Sequence, residues 1–140
     1  MTKNLDKEGL SSIVDKYQLF YVDLWGVVHN GVTLHDKAIK ALEEISKKGK
    51  DYILLTNAPR PNFAVKLFLE KLGMTKEIRD HVFTSGEAAL LYLKKNLLNK
   101  MFFHVGPPRD FDLFSDFEKM RSNMIENSEY ILCTGLFENY

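Results

Sequence analysis

The chain has 140 residues, room for one domain or for a domain with part of another. With 45% hydrophobic and 27% charged residues, 8 glycines and 4 prolines, it has the composition of a chain that buries a core, which excludes collagen-like, low-complexity and mostly disordered classes. Lys plus Arg (19) equals Asp plus Glu (19), so no excess basic field draws nucleic acid or an anionic membrane surface, and neither is expected as a partner.

Cys133 is the single cysteine, which rules out an intramolecular disulfide and a Cys-rich zinc cluster and fits a reducing, cytoplasmic setting. Residues 1–12 are polar with no apolar signal-like core, and no stretch approaches the ~18 apolar residues of a membrane span.

Leu10, Ile13, Val14 and Tyr17 fall at i, i+3, i+4 and i+7 and predict a short leading helix. The apolar run from Leu19 to Leu24 predicts a strand buried on both faces, with Asp23 emerging at its end. From Asp36 to Lys48, Ala38, Ile39, Ala41, Leu42 and Ile45 line one helical face and Gly49 is placed to stop it. Tyr52 to Thr56 reads as a second buried strand. The loop Asn57-Ala58-Pro59-Arg60-Pro61 follows, and Pro61 opens a helix that reaches about Leu72.

A third strand is predicted at 82–84, with Ser85 capping a helix that carries Ala88, Ala89, Leu91, Tyr92 and Leu93. Strands at 101–105 and 130–133 follow, separated by an amphipathic helical stretch with Phe111, Leu113, Phe114 and Phe117. Cys133, ending an apolar strand, is expected to be buried. Strand and helix alternate with crossovers long enough for parallel pairing, so the expected fold class is α/β with a partial, doubly wound parallel sheet.

In open α/β sheets ligands lie at the carboxyl ends of the strands, where loops converge and helix N-termini point their N–H groups inward. Asp23 and Thr56 both stand at such ends. A carboxylate at a strand tip, followed by a glycine that permits a tight turn (Asp23-Leu24-Trp25-Gly26), has the means to attack phosphorus and to bind a divalent cation. Thr56 and Asn57 are placed to hold a phosphate oxygen. An aspartate after a strand is often a turn residue and nothing more; the two strand ends together carry more weight than either alone. The four histidines lack an i, i+4 metal spacing, Arg109 reads as loop surface, and the phenylalanines after residue 100 read as core rather than as a stacking platform for bases.

The stretches Asp23-Leu24-Trp25-Gly26-Val27-Val28-His29-Asn30-Gly31 and Leu54-Leu55-Thr56-Asn57-Ala58-Pro59-Arg60 resemble the first two motifs of the haloacid dehalogenase superfamily. The closest likeness is to its NagD-like subclass with a C2-type (class IIA) α/β cap. Thr84-Ser85-Gly86-Glu87-Ala88-Ala89, residues 104–110 (HVGPPRD) and residues 131–137 (ILCTGLF) are similar to the same branch. The resemblance implies a Rossmann-like core over residues 1–84 and the first part of the cap over 85–140, together the N-terminal half of such an enzyme.

It further implies a Mg²⁺-dependent phosphohydrolase acting on a small phosphorylated metabolite, with Asp23 as nucleophile and an aspartyl-phosphate intermediate. Mg²⁺ would be held by Asp23 and the backbone carbonyl of Trp25; Thr56 would hydrogen-bond the transferring group, and Asn57, Arg60 and Gly26 would line the substrate. Two departures stand out. Trp25 occupies the place of a second Asp that protonates the leaving group, a loss of about 10²–10⁴-fold in rate. An aromatic residue there also resembles the superfamily's dehalogenases, and as a structural element it would form a hydrophobic lid under the cap. The later Gly-Lys-Pro and Gly-Asp motifs are missing, and the chain contains no Gly-Asp or Asp-Asp pair. A second polypeptide carrying the C-terminal half, or self-association, would complete it. The alternative is a catalytically inactive remnant or binding module that retains the fold. A receiver-like phosphoacceptor is disfavoured by the lack of an N-terminal acidic pair.

Overall fold

The computed structural model describes residues 5–136, so the last residue of the cap-like stretch ending at position 137 lies outside them. The chain forms two compact units, one running up to Leu55 and including Leu69–Val82, the other made of Thr56–Phe68 and the chain from Phe83 onward. No helix among the described residues is long and apolar enough to cross a membrane.

The first unit begins with helix α1 (Leu5–Glu8) and two 3-10 turns, Leu10–Ser12 and Val14–Lys16. This differs from the single helix that the apolar spacing predicts. Gly9 at φ 70° closes α1, and Ile13 (φ −128°, ψ −10°) leaves helical geometry between the turns, so only Val14 of the four apolar residues is buried. Strand β1 (Leu19–Asp23) pairs in parallel with β2 (Asp51–Thr56), with Leu19 opposite Asp51 and Asp23 opposite Leu55. Strand β3 (Val82–Thr84) completes the order β1-β2-β3.

β1 is therefore an edge strand, and the expectation that both its faces are buried is corrected: exposed and half-buried residues alternate, and Tyr21 is 68% exposed. The central strand β2 holds the buried pair Tyr52 and Leu54 instead. Its entry is tied by the Leu54 N–H donating to the His81 carbonyl (2.9 Å) and by His81 Nδ1 lying 2.9 Å from the Tyr52 carbonyl.

Helix α2 (Asp36–Lys47) turns Leu42 and Ile45 inward and ends as its sequence predicts, with Gly49 at φ 68°. Helix α3 (Asn62–Lys71) and the four-residue α4 (Lys76–Arg79) follow. α4 is too short to show a period. Arg79 donates to the Met74 carbonyl (3.1 Å) and pairs with Glu70 (2.6 Å) across the turn between them.

In the second unit, helix α5 (Ser85–Asn96) is capped by Thr84, whose hydroxyl accepts from the Glu87 N–H at 2.8 Å, one residue earlier than the expected Ser85. Strands β4 (Phe102–Val105), β5 (Arg121–Ser122) and β6 (Tyr130–Cys133) form a parallel sheet in the order β5-β4-β6. Residues 108–120 form 3-10 turns broken at Phe114 and Phe117 rather than an α-helix. The spacing of the aromatic residues explains it. Phe111, Phe114 and Phe117 recur every third residue, and a helix with three residues per turn stacks such positions on one line.

Those rings close on Phe102, which is fully buried, with centroids 5.2 Å (Phe114), 5.7 Å (Phe117) and 5.6 Å (Tyr130) away. Leu90, Leu93, Leu113 and Leu132 complete this core. Cys133 is exposed, contrary to expectation: β6 is an edge strand whose alternate residues, Ile131 and Cys133, face out while Leu132 faces in.

Two outcomes follow from this packing. Phe102→Ala removes the ring on which three others rest and should cost about 3–5 kcal/mol, read from the urea midpoint at constant m-value. Burial, chiefly, and the Arg121 cation push the His104 imidazole below its ordinary 6.5, against the pull of Asp110 and Glu118. A histidine with a depressed folded pKa contributes stability that is present above the unfolded pKa and drains as pH falls through the folded value. Stability measured by urea unfolding should therefore decline as the pH drops below about 6.5, and His104→Gln should flatten that decline.

Candidate functional site

Two loops leave the carboxyl edge of the first sheet from neighbouring strands. Asp23 ends β1 with its side chain exposed, its register partner is Leu55, and Thr56 is the next residue of β2.

The loop after Asp23 is fastened almost entirely by itself. Leu24 is buried, and its carbonyl accepts from the N–H groups of Val28 (2.9 Å), His29 (3.1 Å) and, at 3.4 Å, Val27. The Gly26 N–H donates to the His29 carbonyl (2.8 Å), and Gly26 itself sits at φ 76°, the left-handed region in which glycine is unstrained. The Asn30 side-chain oxygen accepts from Val32 (2.9 Å) and Thr33 (2.8 Å), and the His35 N–H returns to the Val28 carbonyl (2.8 Å).

His29 is buried and its Nδ1 accepts from the Gly31 N–H at 3.0 Å, which leaves the proton of the neutral ring on Nε2. Burial and then the nearby His35 push its pKa down, against the opposing pull of Asp23.

Trp25 lies on this same loop. Its ring meets His29 edge-to-face at 5.5 Å and 86°. Its outer benzo edge lies over Gly31 (φ 90°), where a Cβ would come within 2.6 Å of the indole. The indole is nevertheless 66% exposed.

Asp23 and the Trp25 carbonyl are the two metal donors that the family resemblance implies. Among the described residues the loop's own backbone hydrogen bonds fall on the carbonyls of Leu24, Val28, His29 and Thr33 and leave that of Trp25 out. An exposed carboxylate and an uncommitted main-chain carbonyl form an all-oxygen donor pair, which fits a hard cation such as Mg²⁺. Among the described residues no group of three or more His, Cys, Asp or Glu side chains is disposed to hold a metal.

The second loop is fastened from a distance. The Thr56 hydroxyl reaches the Ala58 N–H at 3.4 Å, and Asn57 is exposed. The Ala58 carbonyl accepts from the Ser85 hydroxyl (3.0 Å) and the Gly86 N–H (3.1 Å). The Arg60 carbonyl accepts from the Thr84 hydroxyl (2.6 Å), and the Asn62 side chain accepts from the Thr84 N–H (2.9 Å). The Glu87 carboxylate takes the Asn62 N–H (2.9 Å). Gly86 is obligatory here because any Cβ would collide with the Arg60 backbone.

Arg60 does not extend freely: its guanidinium donates to Asp112 Oδ2 through NH2 (2.6 Å) and Nε (3.2 Å). In the sequence Thr84 and Glu87 stand only as members of the Thr84–Ala89 stretch similar to the same branch, with no role of their own. The Thr-x-x-Glu spacing of a capping box was their available signal, although here the Glu87 carboxylate serves Asn62.

The candidate residues thus fall into two sets. Asp23, Trp25 and Gly26 share the first loop, and Thr56, Asn57 and Arg60 share the second.

Residues 20–118 match the family described as haloacid dehalogenase-like hydrolase. Phosphoglycolate phosphatase 2 of Arabidopsis thaliana is 35% identical over 95 residues, which are 66% of this chain and 31% of that protein. Among solved structures, a haloacid dehalogenase-like hydrolase from Brucella suis 1330 is 32% identical with a TM-score of 0.77, covering 92% of this chain and 46% of that one. The 4-nitrophenylphosphatase of Thermotoga maritima shares the fold at 22% identity and a TM-score of 0.67, covering 91% and 49% respectively. The chain spans about half the length of these solved relatives and about a third of the plant enzyme. The match over residues 20–118 covers well over half of the 140 residues, and on that ground the chain belongs to the haloacid dehalogenase-like hydrolases.

Proposed function

We propose that this chain carries the nucleophile of a Mg²⁺-dependent phosphatase acting on a small phosphorylated metabolite. The observation that carries the reading is the exposed Asp23 carboxylate at the end of β1, in register with the strand that ends at Thr56. The phosphatase activity named for the Arabidopsis relative supports it.

In this reading a carboxylate oxygen of Asp23 attacks phosphorus, the bond to the leaving-group oxygen breaks, and an aspartyl-phosphate forms. Water then attacks phosphorus and the acyl-phosphate P–O bond breaks, returning the carboxylate and releasing inorganic phosphate. The Thr56 hydroxyl donates to a non-bridging phosphoryl oxygen, with Asn57 beside it. Gly26, at φ 76°, lets the loop turn directly after Asp23, and in this reading it joins Asn57 and Arg60, the latter held by Asp112, as a substrate-binding residue. Asp23 and the Trp25 carbonyl would hold Mg²⁺, which when bound offsets the charge of an anionic nucleophile meeting an anionic substrate.

The reading assigns residues 1–84 to the catalytic core and 85–140 to the first part of a cap. It gives the open edge of β1 to a further polypeptide carrying the later lysine and acidic motifs, or to a second copy of the chain.

The test is phosphate release from p-nitrophenyl phosphate with Mg²⁺, for the chain alone and with a polypeptide supplying those later motifs. Asp23→Asn should lower turnover by about 10³-fold or more, since removing a covalent nucleophile leaves only binding and electrostatics. Equal rates for the wild type and a folded Asp23→Asn protein would sink the assignment.

A further inference from the structure

We infer that Asn30-Gly31 is a self-modification site, at which the Asn30 side-chain amide closes on the Gly31 nitrogen, loses ammonia and is hydrolysed to a carboxylate. The inference stands apart from the Asp23 reading and concerns chemistry that the loop performs on itself.

Asn30-Gly31 is the one Asn-Gly pair in the 140 residues. Glycine leaves the attacking main-chain nitrogen without a side chain to obstruct it. The fold adds three things that an unstructured Asn-Gly pair lacks.

The first is proximity. The Asn30 side-chain oxygen accepts from the N–H groups of Val32 (2.9 Å) and Thr33 (2.8 Å), and the Asn30 N–H donates to the Thr33 carbonyl (3.2 Å). A side chain that reaches the N–H two residues ahead closes a ring that contains the intervening peptide nitrogen. The Asn30 amide carbon is thereby folded back toward the Gly31 nitrogen, the two atoms between which the bond forms.

The second is charge stabilisation. Addition of the Gly31 nitrogen puts negative charge on Asn30 Oδ1, the atom at which both N–H groups are already aimed. Main-chain donors converging on the oxygen that becomes an oxyanion strengthen as the charge grows. The nitrogen that departs, Nδ2, belongs to an exposed residue and leaves into water.

The third is a proton acceptor. The Gly31 N–H donates to Nδ1 of the buried His29 at 3.0 Å, so the proton that the nucleophile must lose already points at a basic nitrogen.

The steps balance without a further reagent except water. The Gly31 nitrogen bonds to the Asn30 amide carbon and its proton passes to His29 Nδ1. The bond to Nδ2 then breaks, and that nitrogen takes the electron pair and the proton and leaves as ammonia. Water opens the resulting five-membered imide at either carbonyl, the ring nitrogen recovering a proton, to give aspartate or isoaspartate. The loop that Asp23 opens then carries one more negative charge.

The test compares the purified chain, folded and in urea above its unfolding transition, at the same neutral pH and temperature. Peptide mass spectrometry follows loss of ammonia and uptake of water at residue 30. Conversion should be at least about tenfold faster in the folded chain, a fraction of the ~10²–10⁴-fold that a positioned base supplies. His29→Gln, whose side-chain oxygen still accepts the Gly31 N–H but does not take up its proton, should lose most of that gain. Asn30→Asp should keep the fold, because a carboxylate accepts the same two N–H bonds. A folded chain that converts at Asn30 no faster than the unfolded one would overturn the proposal, as would a gain that persists in a folded His29→Gln protein; should that variant not fold, the wild-type comparison decides alone. Phosphate release, which tests the Asp23 reading, is a separate readout.

Discussion

The parallel register that sets Asp23 opposite Leu55 is the constraint on which the carboxyl edge of the first sheet depends. In a strand the side-chain period is two, so a slip of one residue would shift β1 by about 3.3 Å and turn Asp23 to the other face of the sheet. What resists the slip is β2. Tyr52 and Leu54 are buried on it, and the Asp51 N–H is already committed to the Gln18 carbonyl at the strand's entry (2.9 Å). His81 adds a second tie through the Tyr52 carbonyl and the Leu54 N–H. The position of Asp23 is thus set by residues toward the opposite end of the neighbouring strand.

The edge strands show what a hydrophobic run does and does not report. The run from Leu19 to Leu24 has the composition of a strand covered on both faces, and the apolar strand that ends at Cys133 suggests burial of that cysteine. Each has one neighbour in its sheet, and each alternates between covered and exposed residues. Composition states the burial that a strand is able to take up; its neighbours decide the burial it has. Tyr21 and Ile131 therefore stand out where the local sequence alone places them inside.

Elements whose cause is local were legible. α2 shows its apolar face and its terminal glycine, and β2 its apolar run, within a dozen residues of chain. α4 and β5, of four and two residues, are too short to carry a period. The apolar residues between β4 and β5 recur as in an amphipathic helix, and the recurrence of three that favours 3-10 geometry lies within the tolerance of a 3.6-residue pattern. At the site, Asp23, Gly26 and Thr56 announce themselves by strand ends and a turn glycine. The Arg60–Asp112 pair joins residues 52 apart, and the seat that Gly31 makes for Trp25 is a matter of volume. Neither leaves a mark in residue spacing.

The two loops divide the work by how they are built. The hydrogen bonds on Leu24, Gly26, Val28, Asn30 and Gly31 described above run within residues 24–35, so a contiguous stretch does much to specify the loop's shape, and the motif reads as a motif because the physics that holds it is contiguous. The Thr56 loop borrows its fastening from Thr84, Ser85, Gly86, Glu87 and Asp112. Its own sequence, Asn57-Ala58-Pro59-Arg60, offers few side chains that would stabilise one conformation alone. A loop of that kind takes its shape only once the start of α5 is in place, so the shape of the Thr56 loop is a tertiary property and that of the Asp23 loop a local one. This division explains why the Asp23 loop is legible from a few residues, while the groups that fasten the Thr56 loop are visible only in three dimensions.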